Sequence, residues 1–522
     1  MTGFAAAQDT ASVLDVVVQD AAAPAAVPCK VPEAAPAAPA GPDSAAADEE
    51  DEMLLQTGWH TARCALSLPE AHATIKVPAK PTPWRMLLAF AGCGTIISVG
   101  YMDPGNWATG LAGGARFGYS LLFVILLSSI AAMFLQHLAL KLGVASGRDL
   151  AQACRDAYPR WVNIPLWIMA EIAICACDLA EVIGAAVALQ LLFGMPLWAG
   201  VLVTIADVAL VMLLEGRGFR WLEGFVILLI LVIFSCFVYE MALAQPAWLD
   251  VGRGLVPSRE LFTNPDMLYI AIGIMGATVM PHNLYLHSAV IQTRAYDRSP
   301  QGRSAAIRYG TLDSSFSLLF AFLINASILI LSGAAFYYGT PQHREGVDIS
   351  DAYKLLSPSL GARGASIIFA LALLASGQNS TVTGTLAGQV VMEGFLQNST
   401  VTGTLAGQVV MEGFLQMKMK PVMRRLLTRA LAVIPAVIVA AVMGDKAVGQ
   451  LLVISQVVLS MQLSFAVLPL VHFTSSAKFT GRYANSLATS IAAVLTALLI
   501  AGLNGYLLVS VLRDPGSLSV HK

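Results

Sequence analysis

Charged side chains are scarce in this sequence of 522 residues. Asp, Glu, Lys and Arg together make up 12% of it, whereas hydrophobic residues make up 57%. Soluble globular proteins carry about 25% charged residues, so these are too few to cover a water-exposed surface of this size. A lipid-facing surface needs no such cover, and the composition therefore indicates a multi-span membrane protein.

Cysteine is also infrequent, and the net charge is small. Four of the seven cysteines lie in apolar segments, which is not the pattern of a disulfide framework. Cys175 and Cys177 are two residues apart on a predicted helix and face different directions, which argues against a metal-binding pair. A net charge of −2 gives no reason to expect a nucleic-acid partner.

The beginning of the chain differs from the rest. It is rich in Ala and Pro, has an acidic run at residues 48–52, and lacks the basic and apolar segments of a signal peptide. We predict a disordered cytoplasmic tail over residues 1–80. A transmembrane domain over residues 81–512 and a short C-terminal tail over 513–522 complete the predicted organisation.

Apolar stretches long enough to cross the hydrocarbon core recur from about residue 87 onward. We predict an all-α integral membrane protein with eleven transmembrane helices, at about 87–110, 118–141, 163–193, 197–214, 222–244, 266–290, 312–338, 361–380, 430–443, 447–471 and 486–511. Lys and Arg are concentrated in the loops after the even-numbered spans. The positive-inside rule therefore predicts a multi-pass protein of the cell (inner) membrane, with its N-terminus in the cytoplasm and its C-terminus outside.

Two of the predicted spans contain helix-breaking residues beside polar ones. Span one contains Asp-Pro-Gly-Asn at residues 103–106, and span six contains Met-Pro-His at residues 280–282. A proline removes a helical hydrogen bond, and at membrane depth a break is tolerated only where it is buried in protein or lines a cavity. Each of these spans is the first of a five-span half, and such paired breaks indicate the substrate site of a transporter.

The side chains at the two breaks form a mixed set of candidate metal ligands. Asp103 and Asn106 supply hard oxygens that suit any divalent cation, whereas Met280 supplies a soft thioether that calcium and magnesium do not favour. The mixture favours manganese, iron, cobalt or cadmium, with freed backbone carbonyls as further ligands. Gln456 in span ten is a candidate to complete the metal shell.

Ionisable residues inside other spans predict a proton route. Glu171, Asp178 and Glu181 lie near one face of span three, and span six adds His282 and His287. Acids and histidines inside a membrane are energetically expensive and commonly mark proton relays. Snorkelling at the membrane edge explains Glu171 equally well.

Two arginines at the predicted start of span nine are candidates to pair with this acidic face. They are Arg424 and Arg425, which follow a basic loop. Ordinary positive-inside anchoring explains both residues equally well, so the sequence leaves the two interpretations open.

Taken together, these motifs resemble the Nramp family of proton-coupled metal transporters, close to its bacterial manganese-transporter branch. The resemblance extends from about residue 84 to about residue 512. The matching segments are residues 103–106, 280–282, 377–381 with 388–389 in the predicted loop after span eight, 178–184 and 216–221.

The resemblance implies a LeuT-like fold, with two inverted five-helix repeats, discontinuous helices one and six, and an eleventh helix. In the family, the metal is held by the Asp and Asn of the first motif, the Met of the second, and a backbone carbonyl three residues before that Met. These positions correspond to Asp103, Asn106, Met280 and Ala277.

The resemblance also implies a proton route and a function. The route corresponds to Asp103, His282, Asp178 and Glu181, with Arg425 as a partner. The implied function is proton-coupled import of Mn²⁺ or Fe²⁺, which are transported substrates, with no resident cofactor. The expected partners are divalent metal ions, protons and the lipid bilayer, and no obligate protein partner is evident.

The sequence departs from the family in two places. Residues 462–465 read Gln-Leu-Ser-Phe, where family members usually have Gln-Leu-Pro-Phe. Residues 378–396 are repeated without change as residues 397–415. Solenoid repeats occur in series of at least three and diverge in sequence, so we interpret this pair as a recent in-frame duplication or an error of sequence assembly.

Three other functions are weaker interpretations of the same sequence. A symporter of the same fold for an amino acid would use free helix ends for the carboxylate and amine, and a central Asp with a thioether suits a metal better. A metal channel would show rings of charge or a repeated filter. An enzyme is the weakest alternative, because no nucleophile with its base and no nucleotide-binding loop is visible.

Overall fold

α-Helices dominate the computed structural model of this protein. It describes residues 59, 66–68, 71–78, 82–206, 214, 217–339, 349, 352, 354, 356, 364–396, 434, 436–438 and 444–513. Two short strands, β1 (Ile75–Lys76) and β2 (Arg294–Ala295), form a parallel pair. The helices are α1 Pro83–Phe90, α2 Cys93–Gly100, α3 Pro104–Phe117, α4 Leu122–Ser146, α5 Leu150–Ala157, α6 Arg160–Phe193, α7 Leu197–Val203, α8 Phe219–Ala244, α9 Trp248–Gly254, α10 Glu260–Thr263, α11 Pro265–Thr278, α12 Pro281–Val290, α13 Pro300–Ser332, α14 Ala365–Leu396, α15 Gly444–Ser475, α16 Ala477–Thr480 and α17 Leu487–Arg513.

Within the described residues, eight helical segments are long and apolar enough to cross a bilayer, or nine if the bent pair α1 and α2 counts as one span. This confirms the prediction of a helical, multi-span membrane protein. Most of the predicted span nine (430–443) and of the second half of span four (207–214) lies outside the described residues. The predicted number of eleven spans therefore stays a prediction.

The first and sixth spans are broken at the predicted positions. In span one, α2 ends at Gly100 and α3 begins at Pro104; in span six, α11 ends at Thr278 and α12 begins at Pro281. Each proline occupies the first turn of its helix, where the missing N–H removes no hydrogen bond and the fixed φ suits the helix. Each proline therefore begins the second half-helix of its span, a few residues after the first half-helix has ended.

Span eight differs from the prediction of a helix over 361–380 followed by a loop. Helix α14 continues to residue 396, so the segments 377–381 and 388–389 are helical. Their polar composition suggested a loop, but in the structure it forms a buried helix face. The hydroxyl of Thr381 donates to the carbonyl of Gly377 at 3.0 Å, and that of Ser380 donates to Glu181 at 2.7 Å. The first copy of the duplicated segment thus belongs to α14, whereas the second copy lies outside the described residues.

The predicted disordered tail extends too far, because residues 66–68 and 71–78 pack against the helices. β1 pairs with β2, which follows α12, and the Ala73 amide donates to the carbonyl of Gln292 at 3.0 Å. Leu68 is buried. The boundary between tail and transmembrane domain therefore lies before residue 80.

A buried ion-pair network fixes the beginning of span one. Arg294 is fully buried and its guanidinium lies 2.7 Å from Glu223 of α8, which also pairs with Arg220 at 2.8 Å. Arg294 donates to the carbonyl of Ala91 at 2.9 Å and to that of Phe90 at 3.3 Å. These carbonyls are at the bend between α1 and α2. The network therefore provides hydrogen-bond donors for them and attaches the bend to α8.

Candidate metal site at the helix breaks

The two helix breaks are joined by a hydrogen-bonded group of three predicted site residues. Asp103 caps α3, and its Oδ1 accepts from the backbone amide of Asn106 at 2.9 Å and from the Asn106 side chain at 2.6 Å. The same Nδ2 of Asn106 donates to the carbonyl of Ala277 at 3.0 Å. That carbonyl is at the end of α11, where the break leaves it without a helical partner. The side chains of the first break and the backbone of the second therefore meet.

Gln456 of α15 lies against both broken helices. A Cβ atom on Gly105 would overlap the side-chain amide of Gln456, and one on Gly276 would be 2.5 Å from the carbonyl oxygen of Gln456. Glycine at these two positions is what allows α15 to approach so closely. Gln456 is fully buried and donates to the hydroxyl of Ser455 at 3.2 Å. The structure therefore places this predicted ligand beside Asp103.

Met280 is fully buried at the second break, immediately before α12. It packs in a small cluster with Ala173 and Cys177 of α6 and Leu459 of α15. Its thioether thus lies between the break and two neighbouring helices. The hydrogen-bonded group of Asp103, Asn106 and Ala277 does not include Met280, which joins the site through apolar contacts.

Two buried oxygens of this group have no hydrogen-bond donor among the described residues. They are Oδ2 of Asp103 and Oε1 of Gln456. A buried acceptor without a donor is costly and rare, so such atoms require an explanation. A bound cation would satisfy both of them. Together with the Asn106 amide, the Ala277 carbonyl and the Met280 sulfur, they form a donor set that fits a divalent transition metal.

The carbonyls of the first break are bound by residues that the sequence reasoning did not identify. Asn325 of α13 donates to the carbonyl of Tyr101 at 2.7 Å, and the hydroxyl of Ser376 of α14 donates to that of Met102. The indole of Trp107 donates to the carbonyl of Met102 at 3.3 Å. Asn325 and Ser376 are polar residues within apolar spans, and that was the only available signal.

The predicted proton-route residues of α6 and α12 lie close together. Glu181 is fully buried and accepts from Ser380 at 2.7 Å. A Cβ atom on Gly384 would lie 3.0 Å from carboxylate oxygens of both Asp178 and Glu181, so the two acids face the same glycine of α14. His282 is buried at the start of α12. Arg425 lies outside the described residues.

Cys177 links the histidine and the acid of this group. Its sulfur lies 3.8 Å from Nε2 of His282 and 3.6 Å from Oε1 of Glu181. In the sequence, Cys177 is recognisable only as a near neighbour of Cys175, which lies elsewhere on α6 and is half-buried. The spacing of four between residues 177 and 181, which places both on one helical face, was the available signal.

The two remaining predicted ionisable residues lie apart from this group. Glu171 accepts from the indole of Trp167 at 3.0 Å on α6. His287 of α12 is fully buried, and its Nδ1 lies 2.9 Å from Oε1 of Gln136. Gln136 in turn donates to the hydroxyl of Tyr101 at 2.8 Å. This second polar chain connects α12 to the first break through α4.

Comparison with known proteins places this architecture in one family. The family model described as "Natural resistance-associated macrophage protein-like" (Nramp) matches residues 94–398 and 397–510. The chain is 53% identical over 460 residues to a protein of Listeria innocua named divalent metal cation transporter MntH, covering 88% of this chain and 98% of that protein. A protein of the same name from Mesorhizobium japonicum is 54% identical over 451 residues, covering 86% and 95%.

Solved structures give the same result. A manganese transporter from Eremococcus coleocola, solved with an aromatic bis-isothiourea compound, has a TM-score of 0.73 and 39% identity over 84% of this chain and 90% of that one. MhsT, solved with L-phenylalanine, has a TM-score of 0.54 and 13% identity, over 80% and 98%, and it shows a shared fold alone. The names of the sequence relatives agree with the expectation of a transporter rather than an enzyme.

The two family-model matches meet where the duplication begins. The first match ends at residue 398 and the second begins at residue 397, which is the first residue of the second copy. A single uninterrupted match does not extend across the boundary. The family pattern is therefore interrupted at the duplicated segment, as the sequence comparison of the two copies predicts.

Proposed function

Because this chain belongs to the Nramp family, we propose that it is a secondary transporter that imports divalent transition-metal cations, Mn²⁺ and Fe²⁺, with co-transported protons. One observation carries the proposal: Asn106 joins Asp103 at the first break to the Ala277 carbonyl at the second. A cation bound between them would contact both discontinuous helices at once. Its arrival and departure would thus change how the two helices are held together.

The donor atoms support a transition metal as the substrate. Asp103 supplies one carboxylate, Asn106, Gln456 and the Ala277 carbonyl supply neutral oxygens, and Met280 supplies sulfur. Calcium prefers six to eight oxygen ligands, which this set does not supply. A single formal negative charge also keeps the site weak enough for release, which a transport site requires.

The group of His282, Cys177 and Glu181 supports proton coupling. It begins beside Met280 and leads along α6 to the buried carboxylate of Glu181, which accepts a hydrogen bond from the Ser380 hydroxyl. A carboxylate or imidazole buried in this way exchanges its proton when water reaches it. In the proposed route, Asp103, His282, Asp178 and Glu181 carry the proton, and Arg425 is a partner.

For the topology, we propose eleven spans with a cytoplasmic N-terminus, an outer C-terminus and two inverted five-helix repeats. The basic loops support this orientation. α6 and α14 pack closely against each other, and Gly184 of α6 lies directly against the ring of Pro104. Alternating access would then move the broken spans one and six against a scaffold formed around α6 and α14.

Uptake of radioactive manganese into liposomes that contain the purified chain tests the function. An inward proton gradient should drive uptake, and Asp103→Ala should abolish it. Glu181→Gln should retain metal binding but lose the response to the gradient. Asp250→Ala, which changes an exposed acid, is the matched control and should behave as the wild type.

Competition experiments in the same liposomes separate the alternatives. Excess Fe²⁺ should reduce manganese uptake, whereas excess Ca²⁺ or L-phenylalanine should not. Uptake of an amino acid without uptake of manganese would contradict the proposal and favour the symporter alternative. Gradient-independent manganese uptake would contradict only the proton-coupled part.

A further inference from the structure

Glu240 is a buried carboxylic acid that the proposed transport route does not use. It lies on α8, near the end opposite to Arg220 and Glu223, and it is fully buried. Neither of its carboxyl oxygens has a hydrogen-bond partner among the described residues. Glu223, on the same buried face of the helix, is paired with two arginines. Glu223 is thus ion-paired, whereas the structure gives Glu240 no partner among the described residues.

An aromatic cluster connects the position of Glu240 to the metal site. Phe237, one turn before Glu240, contacts the ring of Trp107 with the centroids 5.0 Å apart. Trp107 also contacts Phe369 of α14 at 5.2 Å, and it directly follows Asn106 in the chain. All three rings are almost completely buried. Glu240 therefore lies beyond this cluster, one helical turn farther from the helix breaks.

In the part of the chain that the structure describes, no hydrogen bond or ion pair joins the Glu240 carboxyl to another group. On α8 itself, the titratable side chains around it are the thiol of Cys236, one turn away, and the hydroxyl of its chain neighbour Tyr239. The helices packed most extensively against α8 are α2, α13 and α14, and Trp107 of α3 contacts its Phe237. The other titratable or charged residues of these helices are Cys93 on α2, Arg116 on α3, Arg303, Arg308, Tyr309 and Asp313 on α13, Glu393 on α14, and Arg220 and Glu223 on α8.

An isolated carboxylate is very unfavourable in such an environment, so the neutral, protonated acid is the form that this conformation accommodates. If the aromatic cluster opens and water enters, the ionised form becomes accessible. The protonation state and the packing of this half of the molecule are therefore linked. Because of the orientation proposed above, this half faces the outside.

We propose that Glu240 is an outer proton-binding site whose protonation is required before the outer half of the transporter can close. In the open state the carboxyl takes a proton from external water, and in the closed state it holds that proton inside the apolar packing. When the outer half opens again, the proton returns to the external water. Closing over a metal ion is thereby favoured at acidic external pH, independently of the acids near the metal. This inference rests on the proposed function for the orientation of the chain and for the alternating opening and closing of its outer half.

A labelling experiment that does not require transport tests the proposal. The full chain, with its seven native cysteines replaced by alanine, carries Leu111→Cys as a reporter at a buried position on α3. A membrane-impermeant maleimide is applied outside at a series of pH values. Thiol reactivity itself rises with pH, so each rate is divided by that of Glu260→Cys, an exposed position outside the packed helices.

With Glu240 present, the ratio should rise about tenfold for each pH unit over the range in which the carboxyl titrates in the open state. Glu240→Gln, which is permanently neutral, should keep the ratio low at every pH, and Glu240→Leu should do the same. Glu240→Asp, which still ionises, should restore the rise.

Three results would overturn the proposal. The first is a labelling ratio that does not change with pH when Glu240 is present. The second is a normal rise of the ratio with pH in either neutral variant. The third is a ratio that does not change with pH in Glu240→Asp, which would indicate an effect of packing rather than of ionisation. Size-exclusion chromatography establishes that each variant is folded, and two neutral variants are included in case one is not. A failure of manganese uptake by the wild-type chain, with its native cysteines in place, would contradict the proposed function while leaving the labelling result interpretable.

Discussion

Asn106 and Ala277 are 171 positions apart in the chain, yet the side-chain amide of the first donates to the carbonyl of the second at 3.0 Å. The bond exists because α3 begins, after its cap Asp103, beside the point where α11 ends at Thr278. Helix breaks expose carbonyls, and a neighbouring amide is the natural donor for one of them. A metal ion that binds this carbonyl would have to share it with the N–H of the Asn106 side chain.

The first prediction concerns this amide. Asn106→Ala removes a metal ligand and the link between the two breaks, so kcat/KM for manganese uptake should fall about 10–100-fold, which corresponds to one strong polar contact. The measurement is initial uptake at varied manganese concentration. Thr109→Val is the matched control, because Thr109 donates only to carbonyls of its own helix, and it should change uptake by less than about threefold.

The second prediction concerns the thioether of Met280. Met280→Ala should weaken manganese uptake and reduce the discrimination against calcium, because only oxygen ligands remain. The measurement is inhibition of manganese uptake by calcium in the wild type and the variant. Leu459→Ala, which removes an apolar neighbour of Met280 but no ligand, should leave the inhibition by calcium unchanged. Equal calcium inhibition in wild type and Met280→Ala would contradict a ligand role.

The third prediction concerns the stability of the network at the beginning of span one. Glu223→Ala leaves Arg294 buried without its carboxylate, which costs about 3–5 kcal/mol for a buried pair. Thermal unfolding in detergent should therefore show a large decrease in Tm. Asp250→Ala breaks an ion pair with Arg253 in which both side chains are exposed, 44% and 71% respectively. An exposed pair contributes about 0–1 kcal/mol, so the control should unfold almost as the wild type does.

The fourth prediction concerns pH. Asp149 caps α5 between spans two and three, and burial raises the pKa of its carboxyl to about 6, against partial opposition from the hydroxyl of Ser67. Because the pKa is raised in the folded state, the contribution of this group to stability is largest below its unfolded pKa. It decreases as the pH rises through about 6.

Asp149→Asn keeps a good helix cap without the charge, so it should remove this decrease. The variant should gain up to about 3 kcal/mol of stability relative to wild type between acidic and neutral pH. Thermal unfolding at several pH values measures the difference. A constant difference across the pH range would show that ionisation of Asp149 is not its cause.

The fifth prediction concerns the duplication. Deleting residues 397–415 leaves the first copy in α14, with its contacts from Ser380 and Gly384 to the acids of α6. The shortened chain should therefore fold and take up manganese at least as fast as the full chain. Because the copies are identical, deleting either one gives the same protein. A shortened chain that binds metal but does not transport it would show that the second copy has acquired a necessary role.

The chemical types of the site residues and the positions of the helix breaks were predictable from the sequence, whereas the contacts between residues of different helices were not. Asp103, Asn106 and Met280 are recognisable because a proline beside a polar residue is rare in an apolar span. The contact of Gln456 with Gly105 depends on the packing of distant helices, which local patterns do not contain. Cys177 was missed for the same reason, since its partner His282 comes from another helix. The length of α14 was misjudged because its buried face is made of Ser, Thr and Gly, which otherwise signal loops.

The short ladder between β1 and β2 has a mechanical consequence. β1 lies just before the first half-helix of span one, and β2 lies just after the second half-helix of span six. The hydrogen bonds between β1 and β2 connect the two broken spans at a point far from their breaks. A displacement of α1 would therefore also displace the end of α12, even when no metal is bound, so we expect the two spans to move together rather than independently.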